Sequence, residues 1–396
     1  MEESRGSPRE VFLVFLKLGL TSFGGPIAHL GFFREECVRK RGWLDDAAYA
    51  DLVALCQFLP GPASSQAGFA LGYLRAGLPG ALAASVAFTL PSAILMVAFA
   101  RGVSFFSPKS ELLHGLMVAA VAVVAHAVWS MGRRLCPDLP RAAMALVAAA
   151  AALLLPAAWM QVAIIGAGLA LGAALLHAEA PPAKPVHFPH LRGGRFSTAC
   201  LLAFFGLLAL LPIIAAHGSR WLMLADGFYR AGSLVFGGGH AMLPLLETGT
   251  AGRGWISHDA FLAGYGAAQA LPGPLVTFAA YLGVLCLPGA PAWLAGLWCL
   301  LAILLPSLLL VLGALPHWQR LRSNARAQSA LSGANAAVVG LLLAALYNPV
   351  ATHAVTSPRA AAMAVAAFVA LQFGKLPPWL LVLACGLGGA FLLEKS

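Results

Sequence analysis

Apolar runs of roughly 20 residues recur along the whole chain, and the polar residues between them come in short stretches. A helical run of that length crosses about 30 Å of hydrocarbon, so the pattern predicts an all-α, polytopic membrane protein. Some runs are interrupted. Ala47 to Leu74 reads as two apolar arms of about 12 residues, each too short to cross alone, joined by Pro60, Gly61 and Pro62. That spacing predicts a broken helix or a re-entrant hairpin. Consecutive glycines interrupt two other runs, at Phe23–Gly24–Gly25–Pro26 and at Phe236–Gly237–Gly238–Gly239.

These interruptions come in pairs because the chain repeats itself. KLGLTSFGGPIAHL from Lys17 is echoed by RAGSLVFGGGHAML from Arg230, an offset of about 213 residues. Each copy then has a Trp (Trp43, Trp255), a Gln (Gln57, Gln269) and a PGP: Pro60, Gly61, Pro62 in the first, and Pro272, Gly273, Pro274 in the second. A third match sets Leu90, Pro91, Ser92 against Leu305, Pro306, Ser307. The expected division is an N-terminal repeat over 10–178, a Pro- and Gly-rich cytoplasmic linker over 179–196, a connecting transmembrane helix over 197–221 and a C-terminal repeat over 222–394. A single unpaired crossing between two copies inverts the second relative to the first. Lys and Arg placement agrees when the FGG segments dip in and return and the PGP segments form hairpins, since most basic loops then share one side.

Composition adds less than the pattern. Sixty per cent of the 396 residues are hydrophobic and 10% are charged, which leaves no sizeable soluble domain. The net charge of +10 lies in loops between spans and is read as a topology signal, not as a nucleic-acid footprint. Seven cysteines without a CxxC spacing argue against a disulfide framework or a metal site. No Ser/His/Asp set, HExxH or catalytic carboxylate pair stands out, so neither an enzyme nor a cofactor is expected. The first apolar run has no small-residue cleavage site after it and is expected to be retained.

Candidate chemistry sits at the breaks. A proline in the first helical turn wastes no donor, so each PGP starts a helix whose first N–H groups are open to an anion. In the first copy these belong to Ala63, Ser64 and Ser65; in the second, to Leu275, Val276 and Thr277. Gly24, Gly25, Gly237 and Gly238 allow either close approach of backbone N–H to an oxyanion or close helix packing. Lys17 and Arg230, at matching positions, either lend positive charge to that anion or snorkel to the interface. His29, Asp51 and His240 are candidate proton carriers, with His114 and His126 weaker ones, although a histidine on a helix is also compatible with a hydrogen-bonded core. The loop Arg34 to Trp43 is either a solvated cytoplasmic loop or a basic vestibule for anions.

At these residues the sequence resembles the chromate ion transporter family in its long form with two homologous halves. The likeness rests on FLKLGLTSFGGPIAHL, the loop ending in Gly42, Trp43 and Leu44, the QFLPGP block, and their counterparts FGGGH, GRGW and QALPGP. It covers nearly the whole chain. Two departures, Gly239 where the first copy has Pro26 and fewer charges in the Trp255 loop, make the two halves unequal. The resemblance implies proton-coupled efflux of chromate, a tetrahedral dianion, across the inner or plasma membrane. Substrate oxyanion, protons and the bilayer are then the partners, with transport of sulfate or another oxyanion, inward included, as the alternative, a membrane-embedded scaffold or enzyme as the competing class, and a homodimer an open assembly. Residue patterns alone reach an anion transporter.

Overall fold

A computed structural model of the chain describes residues 6–103, 111–155, 158–177, 194–235, 239–374 and 376–392. Most of the expected linker, and Gly237 and Gly238, lie outside them. The described residues form helices and turns with no strand.

The first repeat contains α1 (Pro8–Thr21), α2 (Gly25–Phe33, continued by a π turn at Arg34–Arg39), α3 (Asp46–Phe58), α4 (Ala63–Val103), α5 (Glu111–Leu135), α6 (Leu139–Leu154) and α7 (Ala158–Leu175). Next comes α8 (Arg195–Ala216), which has no counterpart. The second repeat contains α9 (Arg220–Ser233), α10 (Leu243–Gly249), α11 (His258–Ala270), α12 (Phe278–Cys286), α13 (Ala292–Ala314), the short α14 (Trp318–Arg322), α15 (Ala325–Ala345), a single turn α16 (Thr352–Ala354), α17 (Pro358–Gln372) and α18 (Pro378–Leu392). What is one element, α4, in the first copy is α12 and α13 in the second. The difference is nominal, because α4 is kinked at Ala76 and Gly77, where Gly77 has φ +64°. The arms read from the sequence on either side of the first PGP are α3 and the part of α4 before this kink.

Local chemistry sets the helix starts. Asp45 and Ser257, matched in the repeat, accept from the N–H of Ala48 at 2.7 Å and of Ala260 at 3.1 Å. Asp138, Asn324 and Ser357 cap α6, α15 and α17 in the same way. Among the described residues, five helices are long and apolar enough to cross a membrane. Leu146, Val147 and Leu154 on α6, Ile213 on α8, and Val365 and Phe373 on and just after α17 are each more than 60% exposed, a surface stable only against lipid. The cysteines are all free, and six are buried as small core residues.

The repeats are interwoven. Near the start of α5, His114 lies 2.8 Å from the carbonyl of Ala354, the last residue of α16, which follows α15 after a π turn. The matched helices α5 and α15 therefore run antiparallel, as inverted copies must. Each pairs with the last helix of the other repeat: α15 with α7, and α5 with α18. Small residues make this close approach possible. A Cβ on Gly333 would meet the carbonyl of Gly168 and lie 2.8 Å from the nitrogen of Gly172, and one on Gly115 would meet the carbonyl of Cys385. Replacing Gly333 with leucine is expected to separate α7 from α15 at a cost of about 1–3 kcal/mol or more. Thermal unfolding in detergent should show a clear fall in midpoint, whereas Gly132→Leu, where a Cβ meets nothing within 4 Å, should change little.

Candidate functional site

The three matched motifs meet at two equivalent clasps, and each clasp joins one repeat to the other. Gly61 of the first PGP donates its N–H to the carbonyl of Val235, just before the second FGG, at 2.6 Å. Gly273 of the second PGP donates to the carbonyl of Ser22, just before the first FGG, at 2.8 Å. Both glycines need positive φ, +127° for Gly61 and +91° for Gly273. The serines of the third match close the space: a Cβ on Gly61 would lie 2.8 Å from Ser307 Oγ, and one on Gly273 would lie 2.9 Å from Ser92 Oγ. A backbone break at membrane depth needs protein partners for its polar groups, and here each repeat supplies them to the other.

Between the clasps lies a cavity of about 490 Å³. Gly24, Gly25 and Pro26 of the first FGG, Gln57 and Gln269 before the two PGP breaks, and Gly61 all line it. His240 enters from the second FGG segment, and its Nδ1 lies 2.7 Å from the hydroxyl of Tyr265 on α11. Ala63 also lines the wall, so the N-terminus of α4, whose first-turn N–H groups have no intrahelical acceptor, opens on the cavity. From α5 come His126, Ser130 and Arg134, and from α15 Asn335. Among the described residues, the Gln269 amide nitrogen, His126 Nδ1 and Asn335 Oδ1 are buried with no hydrogen-bond partner. Unsatisfied buried polar atoms are costly, and three around one cavity point to a polar occupant. The cavity continues into a wider opening lined by His126, Trp129, Ser130 and Arg133. Its mouth is basic because α5 ends in Arg133 and Arg134.

Other sequence candidates lie elsewhere. Lys17 does not line the cavity; its ammonium contacts both oxygens of Glu36, at 3.2 and 3.3 Å, at the end of the π turn where Lys40 and Arg41 also converge. Arg230 is ion-paired with Asp226 one turn earlier on α9, beside Arg253 in a separate small pocket. Asp51 on α3 is ion-paired with Arg322 on α14, a buried link between repeats. His29 is buried off the cavity with its ring edge-on to Phe88, centroids 5.3 Å apart. Ser64 and Ser65 are buried in α4 and do not line the wall. Neither do Pro60, Pro62, Pro272, Gly273, Pro274 and Thr277. Pro60 accepts from the Gln66 side chain at 2.7 Å, and Thr277 bonds back to the carbonyl of Pro274 at 2.9 Å, where a 3-10 turn starts the second arm. The Arg34–Trp43 loop is not the vestibule. Arg34 pairs with Asp46 and Arg39 with Glu35, and the basic mouth comes from α5 instead.

Ser130, Arg133, Arg134 and Asn335 were not among the sequence candidates. A lone amide in the apolar span of α15 was the available signal for Asn335.

The family model described as "Chromate transporter" matches residues 9–173 and 222–390, one segment for each repeat. A probable chromate transport protein of Synechococcus elongatus is 28% identical, covering 86% of this chain and 84% of that protein. Chromate transport proteins of Pseudomonas aeruginosa and Cupriavidus metallidurans are 27% and 28% identical, each covering 96% of this chain and over 90% of the relative. No solved structure matches the chain.

Proposed function

The chain belongs to the chromate transporter family, and from that premise we propose that it is a secondary transporter that moves chromate out of the cytoplasm in exchange for protons. Such a carrier would act in the inner or plasma membrane and confer chromate resistance. The observation that carries this reading is one cavity lined by the first FGG, Gly61, His240 and the glutamines that precede both PGP breaks, with unpartnered polar side chains and a basic mouth.

The chemistry is that of a desolvated tetrahedral dianion. Its four oxygens need donors from several directions, and the α4 N-terminus, the Gln57 and Gln269 amides and an imidazole N–H of His126 stand around the cavity to give them. Arg133 and Arg134 raise the local anion concentration at the mouth. The positive-inside rule assigns that mouth to the cytoplasm, which makes this an inward-open form. His240, bonded to Tyr265 inside the cavity, is the proton carrier that can feel the anion directly. One chain builds the whole cavity, so a homodimer would hold one per protomer. Sulfate has the same shape and charge and would meet the same donors, which keeps it as the competing cargo.

Radiolabelled chromate uptake into inverted vesicles tests the reading. Uptake should rise with an imposed proton gradient and persist in excess sulfate; uptake that ignores the gradient, or is abolished by sulfate, overturns coupling or chromate preference respectively. Gln57→Ala and Gln269→Ala each remove an amide donor to a charged ligand, worth about 1.5–3 kcal/mol. Each is expected to raise the half-saturating chromate concentration about tenfold or more with the protein still folded.

A further inference from the structure

A second cavity, of about 310 Å³, lies away from the first, between α6, α7, α10, α11 and the end of α15. It holds a group of titratable side chains that the transport reading leaves unused. Glu247, near the end of α10, places Oε1 3.2 Å from Nδ1 of His258, the first residue of α11. The His258 ring lies against that of His353 on α16, centroids 4.5 Å apart. The Nδ1 of His353 is 2.9 Å from the carbonyl of Pro349. His258 Nδ1 is within ion-pair distance of the carboxylate, yet is not aligned for a hydrogen bond to it. Gln161 of α7 bonds Thr248 through its amide nitrogen at 2.8 Å, and leaves its buried oxygen unpartnered at the same wall. Other charged or titratable groups on the surrounding elements are Asp259 next to His258, Arg253 held over Trp255, the Asp226–Arg230 pair of α9, which packs on α10, and Glu111 and His114 of α5. The group does not have the geometry of a metal site among the described residues.

Its position matters. His353 is next to Ala354, whose carbonyl meets His114 at the beginning of α5, whereas the basic mouth is at that helix's other end. Twenty-five residues of helix, about 37 Å, separate the two. The group therefore lies at the opposite membrane face. It also joins the outer ends of the two elements that reach the anion cavity. The chain runs from His240 through the turn at Gly239–Met242 directly into α10, and α11 carries His258 at its start and Gln269 near its end. His240 and Tyr265 tie these two elements together at the cavity.

We propose that Glu247, His258 and His353 form a proton-binding site on the face opposite the basic mouth, and that its occupancy sets the positions of α10 and α11 and, through them, of His240 and Gln269. A proton on His258 turns its contact with Glu247 into an ion pair and repels a second proton on the neighbouring His353, so the group takes one proton readily and a second reluctantly. A proton there draws α11 towards α10, and its loss releases them. The coupling half of this proposal rests on the reading of the larger cavity as the anion site; the proton-binding half does not.

Two measurements separate those halves. In the purified full-length protein, histidine ring resonances assigned with H258Q and H353Q report protonation without any cargo. Glu247→Gln removes an opposite charge and should lower the proton affinity of His258 about tenfold or more, whereas His353→Gln removes a competing cation and should raise it. If both variants leave the titration of His258 unchanged, or shift it in the same direction, the proton site is refuted. Stoichiometric binding of Zn²⁺ by the wild type that E247Q abolishes also refutes it, in favour of a cation site. In vesicles, E247Q and H353Q should flatten the dependence of chromate transport on the pH of that face. An unaltered pH dependence in both overturns the coupling. A wild type that titrates as expected and moves no chromate overturns the transport reading alone.

Discussion

Gly61→Ala and Gly273→Ala are expected to reduce transport below about one-tenth of wild type and to destabilise the protein by about 2–4 kcal/mol each. Two costs combine. At φ +127° and +91° an L side chain is strained, and the added Cβ would enter space filled by Ser307 and the Gln66 amide in one clasp, and by Ser92 and the Phe88 carbonyl in the other. To relieve the contact, the PGP segment must back away from the other repeat, which leaves its N–H and the carbonyl of Val235 or Ser22 unpaired in a medium without water. Thermal unfolding in detergent and vesicle uptake check the two effects separately. Gly42→Ala, away from the cavity, serves as control: a Cβ there meets nothing within 4 Å and only the cost of positive φ, about 1–2 kcal/mol, remains. Wild-type uptake by both clasp variants would show that the clasps do not hold the cavity in shape.

The second large effect concerns Asp51 and Arg322. Both are about nine-tenths buried, and they link α3 of one repeat to α14 of the other. Removing one partner leaves a buried charge without its counter-ion, so Asp51→Ala or Arg322→Ala is expected to cost about 3–5 kcal/mol. The double variant should cost clearly less than the sum, because neither charge is then stranded. A double-mutant cycle on unfolding midpoints measures this. The same variants decide between two roles for Asp51. If it is a strut, then Asp51→Asn weakens the fold but leaves the proton dependence of transport intact; if it carries the proton, that dependence disappears in a protein that is still folded.

Much of the architecture was legible because the bilayer constrains it so strongly. Run lengths gave the spans, and arms of about 12 residues on either side of Pro60–Pro62 correspond to α3 and the first part of α4. Matched motifs gave the repeat and, with one unpaired helix between, its inversion. Partners across the repeats were not legible. Nothing near Gly61 indicates that its N–H will meet the carbonyl of Val235, because that pairing depends on how two halves cross. Lys17 and Arg230 illustrate the opposite problem. They occupy matching positions, yet Glu36 has Gly249 as its repeat counterpart and Asp226 has Leu13, so each cation is held by a carboxylate that its own repeat alone provides. Matched positions promise a shared backbone path, not shared neighbours. Arg133 and Arg134 were read as topology signals, and at the end of α5 they are also the mouth of the cavity. One charge satisfies both requirements, so the sequence pattern does not distinguish them.

The reciprocal clasps also impose an order on biosynthesis. The acceptor for Gly61 is made some 170 residues later, which at about 5–20 residues per second is a wait of roughly 10–35 s. During that interval the first half lies in the bilayer with its central turn unclosed, and α7 has no α15 to pack against. Neither half is a self-sufficient folding unit. A nascent first half is therefore a client for the insertion machinery or for membrane chaperones until the second arrives, and a chain cut between the halves would yield two fragments that are stable only when they meet in opposite orientations in the same membrane.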